Sequence, residues 1–543
     1  MASTRGTPSR AATAVLVAAV LVAGVVVATR AAAAAPEPGT AIGAVVTVEQ
    51  GEVRGAVDGD VLRYRGLPYA APPVGNLRWA PPQPAPRTSG TRPATAPAPR
   101  CPQLAAAPGT PHLTAASSTE DCLTVDVTVP VGTTSTSRLP VLVWLHGGAF
   151  SAGAGGDVDP HRLAEAGPFV VVTANYRLGM LGFLGLPGLD GGGEFGLLDQ
   201  QAALRWVHRN AAAFGGDPGR VTLGGESAGA DSVCAQMASP AAAGLFEQAI
   251  LQSGECGTAD LYPVVVPPTA PASATWKPLP QVQENSTAAA GRLNCPDPAT
   301  ALACLRALPV DPLVGGAGVY WSPATGTTTL PARPGSAGAG TPRPMPTLVG
   351  TNRDEGTLFT AAFYDNAAGP LSTDAFRTML ASVAPTRAMA AGAAYPAVGR
   401  TPSRAWSDVV TDRAYACPEL RTYADQGDRA PLYAYEFADP TAPSTFIGLP
   451  PTLADGVTHG AEMAYLFDLV PGQPAFTPAQ QAQADRMVAT WARFVTTGDP
   501  DGDGFTWPRW EGGGQVLSIG RTGATARPAA QVWAEHHCEL WNG

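Results

Sequence analysis

Five apolar runs constrain the fold more than any other feature of this chain: LPVLVWL from residue 139, PFVVVTANY from 168, RVTLGG from 220, EQAILQSG from 247 and PTLVGTN from 346. A strand with one wet face alternates apolar and polar residues; these runs do not, so both of their faces must be buried. Between and after them lie amphipathic stretches of helical period, LLDQQAALRWVHRNAAAF (197–214) and PAQQAQADRMVATWARFVTT (478–497). The arrangement predicts an α/β protein with a large, mostly parallel central sheet covered by helices on both faces. Ahead of it, residues 41–70 read as short strands separated by glycine turns, a β-rich N-terminal segment. Two Pro-, Gly-, Ala- and Thr-rich stretches, 262–283 and 322–344, read as surface excursions. With no internal repeat, one large domain over residues 40–543 is the expectation.

Residues 1–35 carry a basic start, an apolar stretch and a small-residue zone, the pattern of a secretory signal peptide cut near Ala33 to Ala35. The apolar run is also nearly long enough for an uncleaved anchor. Either way the body is expected outside the cytoplasm, secreted or held at the cell envelope, with no stable membrane association once the leader is cut. Eight cysteines fit an oxidising compartment and imply disulfides. No Cys-x-x-Cys pair occurs, so no zinc site of the usual spacing is expected. The net charge is −10 and the chain shows no basic cluster, which excludes a nucleic-acid footprint and favours a small-molecule substrate.

Chemistry concentrates at GGESAGA, where a serine, Ser227, stands between glycines directly after an apolar strand and before a helix-like run. A nucleophile elbow needs this strand, sharp turn and helix, so that the hydroxyl stands clear above the sheet. Upstream, the run 139–145 ends in His146, Gly147, Gly148, Ala149 and Phe150, a loop poor in side chains. Its backbone N–H groups can approach the carbonyl oxygen that becomes negative in acyl transfer. In elbow hydrolases the acid and then the histidine follow the serine along the chain. Of seven histidines only His459, His536 and His537 follow Ser227. The last two lie in a charged, helix-like tail, whereas His459 sits in a glycine-flanked loop entering a helix, and is the expected base. The acid should end a sheet strand, as do Asp354 and Glu355; spacing does not separate these neighbours.

Beyond these motifs, GLPYAAPPVGNLRW, EDCLTVDVTVP, NYRLGMLGFL, AILQSG, GTNRDEGTLF, DGVTHGAEMAYLF and TWARFVTTGDPDG run in order along nearly the whole mature chain. Together they resemble the type-B carboxylesterase family of the α/β-hydrolase superfamily, the group that also contains cholinesterases and bile-salt-activated lipases. The resemblance implies Glu355 as the acid, completing a triad with Ser227 and His459. It places the oxyanion donors at Gly148, Ala149 and Ala228, and matches Glu226 and Glu462 to glutamates near the catalytic histidine. It also implies disulfides Cys101–Cys122, Cys295–Cys304 and Cys417–Cys538, and ion pairs Arg78–Glu120 and Arg177–Asp199. Cys234 and Cys256 have no counterpart in that pattern and stay open between a fourth bridge and two buried thiols.

The implied reaction is hydrolysis of a carboxylic ester through an acyl-enzyme, without cofactor or metal. Residues 102–121 contain no Trp, Tyr or Phe, and Leu358 stands where an aromatic commonly follows Asp-Glu-Gly. Both departures argue against cation–π recognition of choline and towards general short-to-medium-chain esters. A lipase, a peptidase or a catalytically silent adhesion relative shares the fold and remains the alternative. Asp499, Asp501, Asp503 and Gly504 resemble the start of a calcium loop, but Trp510 stands where its closing glutamate belongs. Asn285 heads an Asn-Ser-Thr glycosylation sequon.

Overall fold

Along the first long apolar run, Val141, Val143 and Leu145 enter one hydrophobic cluster and Leu142 and Trp144 enter another. Because side chains alternate along a strand, the run must separate two cores, one on each face of a sheet. The computed structural model describes residues 39–541 apart from 106–114, 255, 258–263, 266–273, 398, 445–447, 455, 470–474 and 503. The leader expected over residues 1–35 lies outside the described residues, as does Asp503.

The main sheet has eleven strands: β1 (Ala56–Asp58), β2 (Val61–Pro68), β3 (Thr124–Pro130), β4 (Leu139–Leu145), β5 (Val170–Ala174), β6 (Gly216–Glu226), β7 (Gln248–Gln252), β8 (Thr347–Asn352), β9 (Leu432–Phe437), β10 (Gln515–Gly520) and β11 (Gly523–Pro528). Their spatial order is β1-β2-β3-β5-β4-β6-β7-β8-β9-β10-β11, so chain order is broken once, where β5 inserts between β3 and β4. From β5 to β10 every pairing is parallel. The antiparallel pairings lie towards the two edges. The five apolar runs form β4 to β8, the centre of the sheet. Strands β9 to β11 lie outside those runs; β9, LYAYEF, is buried through its aromatic side chains.

Helices α1 (Phe195–Asn210) and α2 (Ala228–Ala238) share the core of one face with Val141 and Val143. On the other face a long helix, α4 (Pro478–Thr497), packs Met487 and Trp491 beside Trp144. Its ends are written in the sequence: Thr477 and Gln480 form a capping box, Pro478 opens the first turn and Gly498 closes the helix in the left-handed region. The two stretches expected as surface excursions are instead partly buried: they meet where Lys277–Pro278 pairs in parallel with Ala324–Thr325, with Lys277, Ala324 and Thr325 all buried, and helix α3 (Leu279–Arg292) follows at once.

Four disulfides join Cys101 to Cys122, Cys234 to Cys256, Cys295 to Cys304 and Cys417 to Cys538. The Cys234–Cys256 bridge ties α2 to the segment just beyond β7. Arg78 pairs with Glu120 at 2.6 Å and Arg177 with Asp199 at 2.7 Å. Asp499 and Asp501 belong to a turn in which Asp501 accepts the Trp507 N–H at 2.9 Å. Residues Thr40–Gly543 make one compact unit. Among the described residues, no helix is long and apolar enough to cross a membrane.

Candidate active site

The site stands where the parallel strands end. Strand β6 finishes at Glu226, and Ser227 carries φ 56° and ψ −127° before α2 begins at Ala228. A non-glycine residue held there is strained, and the surroundings must enforce the turn. They do so on both sides: the Ser227 N–H donates to Gln252 O at 2.8 Å, and its carbonyl accepts from the Asp231 N–H at 2.9 Å. The flanking glycines allow close approach. A Cβ at Gly225 would lie 2.5 Å from the Gly229 carbonyl carbon, and one at Gly229 only 2.1 Å from Leu145 O.

Beside the elbow, β4 ends in the His146–Phe150 loop, whose Gly148, Ala149 and Phe150 all have positive φ. His146 holds this loop as a neutral ring. Burial pulls its pKa down to about 4, its Nδ1 lies 2.8 Å from Gly147 O, and it stacks on Tyr176, whose hydroxyl donates to His146 O at 2.7 Å. Among the described residues no acceptor takes the N–H of Gly148, Ala149 or Ala228, so three donors at the elbow stand open.

Glu355 and His459 meet although 104 residues separate them. Glu355 follows β8 and is fully buried; one of its oxygens accepts the Asn352 N–H at 2.6 Å and the other lies 2.5 Å from His459 Nδ1. A carboxylate only accepts, so Nδ1 carries the proton and Nε2 is the ring nitrogen turned away from Glu355. That nitrogen lies 3.2 Å from Glu226 Oε1, on the residue immediately before Ser227. The neighbouring acid is engaged elsewhere: Asp354 pairs with Arg353 and Arg404 and accepts the Val457 N–H at 2.8 Å. Thus Asp354 anchors the loop that carries His459, while Glu355 touches the ring.

Charge at the site is lopsided. Burial favours the neutral imidazole, but the carboxylates of Glu355 and Glu226 outweigh it and push His459 up to about 9. Burial in turn pushes Glu226 up to about 8 against the pull of His459. The two groups therefore titrate as a coupled pair above neutrality, between about 8 and about 9. Glu462 does not touch the ring. It accepts from Gln252 Nε2 at 2.9 Å and from Asn352 Nδ2 at 2.6 Å, bracing the strand ends that position Ser227 and Glu355.

Sequence reading did not reach several neighbours. Phe359 and Tyr415 pack their rings 5.1 and 5.3 Å from the His459 ring and stack on each other. Gln252, Ser253 and Asn352 link the ends of β7 and β8. Phe359, one residue past Leu358, was the one with a visible signal.

Raising a serine on a strained strand-to-helix turn above a mostly parallel sheet is how an α/β-hydrolase presents its nucleophile, and this chain has that fold. The profile of the carboxylesterase family matches residues 43–541. The chain belongs to that family and is a carboxylic ester hydrolase. It is 32% identical to the para-nitrobenzyl esterase of Bacillus subtilis, over 86% of this chain and 92% of the relative. It is 31% identical to a human cocaine esterase, over 90% and 88% of the two chains. With the fumonisin B1 esterase of Sphingopyxis macrogoltabida it shares 32% identity over 87% and 85%. A solved PNB esterase structure superimposes with a TM-score of 0.74 at 30% identity, covering 92% of this chain and 99% of that one.

Proposed function

We propose that Ser227, His459 and Glu355 act as a triad that hydrolyses esters in two displacements. The contact of Glu355 with His459 Nδ1 supports this reading, because it leaves Nε2 beside Glu226, the residue immediately before Ser227. His459 Nε2 takes the Ser227 proton as the oxygen attacks the ester carbonyl, and Glu355 stabilises the imidazolium that forms. The amides of Gly148, Ala149 and Ala228 receive the oxyanion, each donor contributing about 3 kcal/mol to the transition state. His459 then protonates the departing alcohol, and water repeats the sequence on the acyl-enzyme. No step needs a cofactor.

Short-to-medium-chain esters other than choline esters are the proposed substrates, since residues 102–121 carry no aromatic side chain. The esterases similar to this chain are named for chemically diverse compounds, which supports a general rather than a narrow ester reading. Four disulfides, together with the leader-like residues 1–35, support action outside the cytoplasm.

The test is a panel of p-nitrophenyl esters of graded chain length, with labelling by a fluorophosphonate probe. Ser227→Ala is expected to lose labelling and to lower kcat by a factor on the order of 10⁴ or more. Hydrolysis that survived the substitution would overturn the assignment.

A further inference from the structure

Next to the oxyanion loop lies a cavity of about 510 Å³. Ser151 lines it, and the Ser151 N–H donates to Gly148 O at 3.0 Å, so the cavity begins within one turn of the open amides. One wall is apolar, made by Leu181, Leu313 and Trp321. A single stripe of α3 also lines the cavity, with Gln281, Asn285, Ala288 and Arg292 at helical spacing. Three of these four side chains are polar, and the last is a guanidinium.

The charge of this cavity is unlike that of its surroundings. The chain has a net charge of −10, and the catalytic centre gathers Glu226, Glu355 and Glu462. Yet no carboxylate lines the cavity among the described residues. Arg292 commits only Nε, which donates to Ala317 O at 2.6 Å; among the described residues its two terminal nitrogens have no acceptor. Behind the cavity residue Tyr320 sits the only lysine of the chain, Lys277, 2% exposed. Its ammonium donates to Tyr320 O at 3.1 Å and Ser322 Oγ at 2.5 Å and lies 4.6 Å from the Tyr320 ring. No carboxylate pairs with it among the described residues, and burial pulls its pKa down to about 7.

We infer that this cavity is a subsite for a carboxylate carried by the substrate at the end remote from the scissile ester, with Arg292 as its specificity-determining residue. Arg292 offers a fork of donors matched to a carboxylate. Gln281 and Asn285 add amide donors along the same stripe. Its aliphatic spacer would lie against Leu181 and Trp321. The favoured substrates are thus half-esters of dicarboxylic acids. Asn285 then serves as a cavity residue, since a glycan attached there would occupy the space. This inference rests on the esterase reading above.

The experiment compares monoethyl adipate with ethyl hexanoate, which match in length and differ in the terminal charge. The wild-type protein is expected to favour the half-ester in kcat/KM. In Arg292→Ala the half-ester to neutral-ester ratio should fall about ten- to hundred-fold, the range of a hydrogen bond to a charged group. Arg292→Lys should recover part of that ratio. Adipate itself should inhibit ethyl hexanoate hydrolysis competitively in the wild type and more weakly in Arg292→Ala. A wild-type preference for the neutral ester, or a ratio unmoved by Arg292→Ala, would overturn the subsite while leaving the esterase reading intact. Failure to cleave either ester would overturn both.

Discussion

At the scale of single residues, the proton of His459 is the quantity most open to measurement. In the proposed mechanism the ring must be neutral to accept the serine proton, so kcat/KM is expected to rise as pH passes its pKa. Two carboxylates hold the imidazolium, one on each nitrogen, and push that pKa up to about 9. In Glu226→Gln one of these attractions is gone and the charged ring loses stabilisation. The rising limb of the kcat/KM profile is therefore expected to move to lower pH by on the order of one unit. A profile that keeps its limb in place would remove Glu226 from this role. Glu355 acts on the other nitrogen, where Glu355→Gln can no longer stabilise the imidazolium. Its kcat is expected to fall about 10³- to 10⁴-fold, measured with a substrate whose leaving group absorbs.

At the scale of elements, the elbow depends on how closely α2 approaches the end of β4. A Cβ at Gly229 would sit 2.1 Å from Leu145 O, a backbone atom with no freedom to swing aside. Gly229→Ala is expected to push α2 away, costing about 1–3 kcal/mol of stability and displacing Ala228 from the oxyanion loop. A fall in thermal midpoint together with a fall in kcat would show this; an unchanged pair would refute it. The same elements show what a sequence can and cannot display. The strand under Ser227 and the loop at Gly148 were legible because buried parallel strands leave unbroken apolar runs and their ends leave glycines. The choice between Asp354 and Glu355 was not legible from spacing, because it depends on which side chain finds Arg404 and Val457 and which finds His459. Tyr415 reaches the ring from a helix whose place follows from the packing of the surrounding elements, so nothing in its own segment marks it.

At the scale of the whole molecule, a second histidine lies between carboxylates near the end of the chain. His536, in the helical end of the chain, is buried, with Nδ1 2.6 Å from Asp412 and Nε2 2.9 Å from Glu436. No strained serine turn adjoins it; instead the Cys417–Cys538 disulfide lies two residues away. Burial disfavours the charged ring, but the two carboxylates outweigh it and hold the pKa well above the ordinary histidine value. A raised folded-state pKa contributes stability that is fully present below the unfolded value and is lost as pH climbs through the folded one. His536→Gln is thus expected to cost about 3–5 kcal/mol at acidic to neutral pH, by removing the cation that two buried acids share. Its deficit in thermal midpoint against the wild type should shrink as pH becomes alkaline; a constant deficit would contradict the charged cluster.

The serine turn comes from the middle of the chain, yet its acid follows two strands further across the sheet and its base arrives after β9. Contacts of such long sequence separation form late in folding. No partial chain that ends before His459 can assemble the proposed triad, however well its β4–β6 core has folded. The protein should therefore be chemically silent throughout its synthesis and gain hydrolytic power only when its last quarter docks, which makes turnover itself a reporter of complete folding.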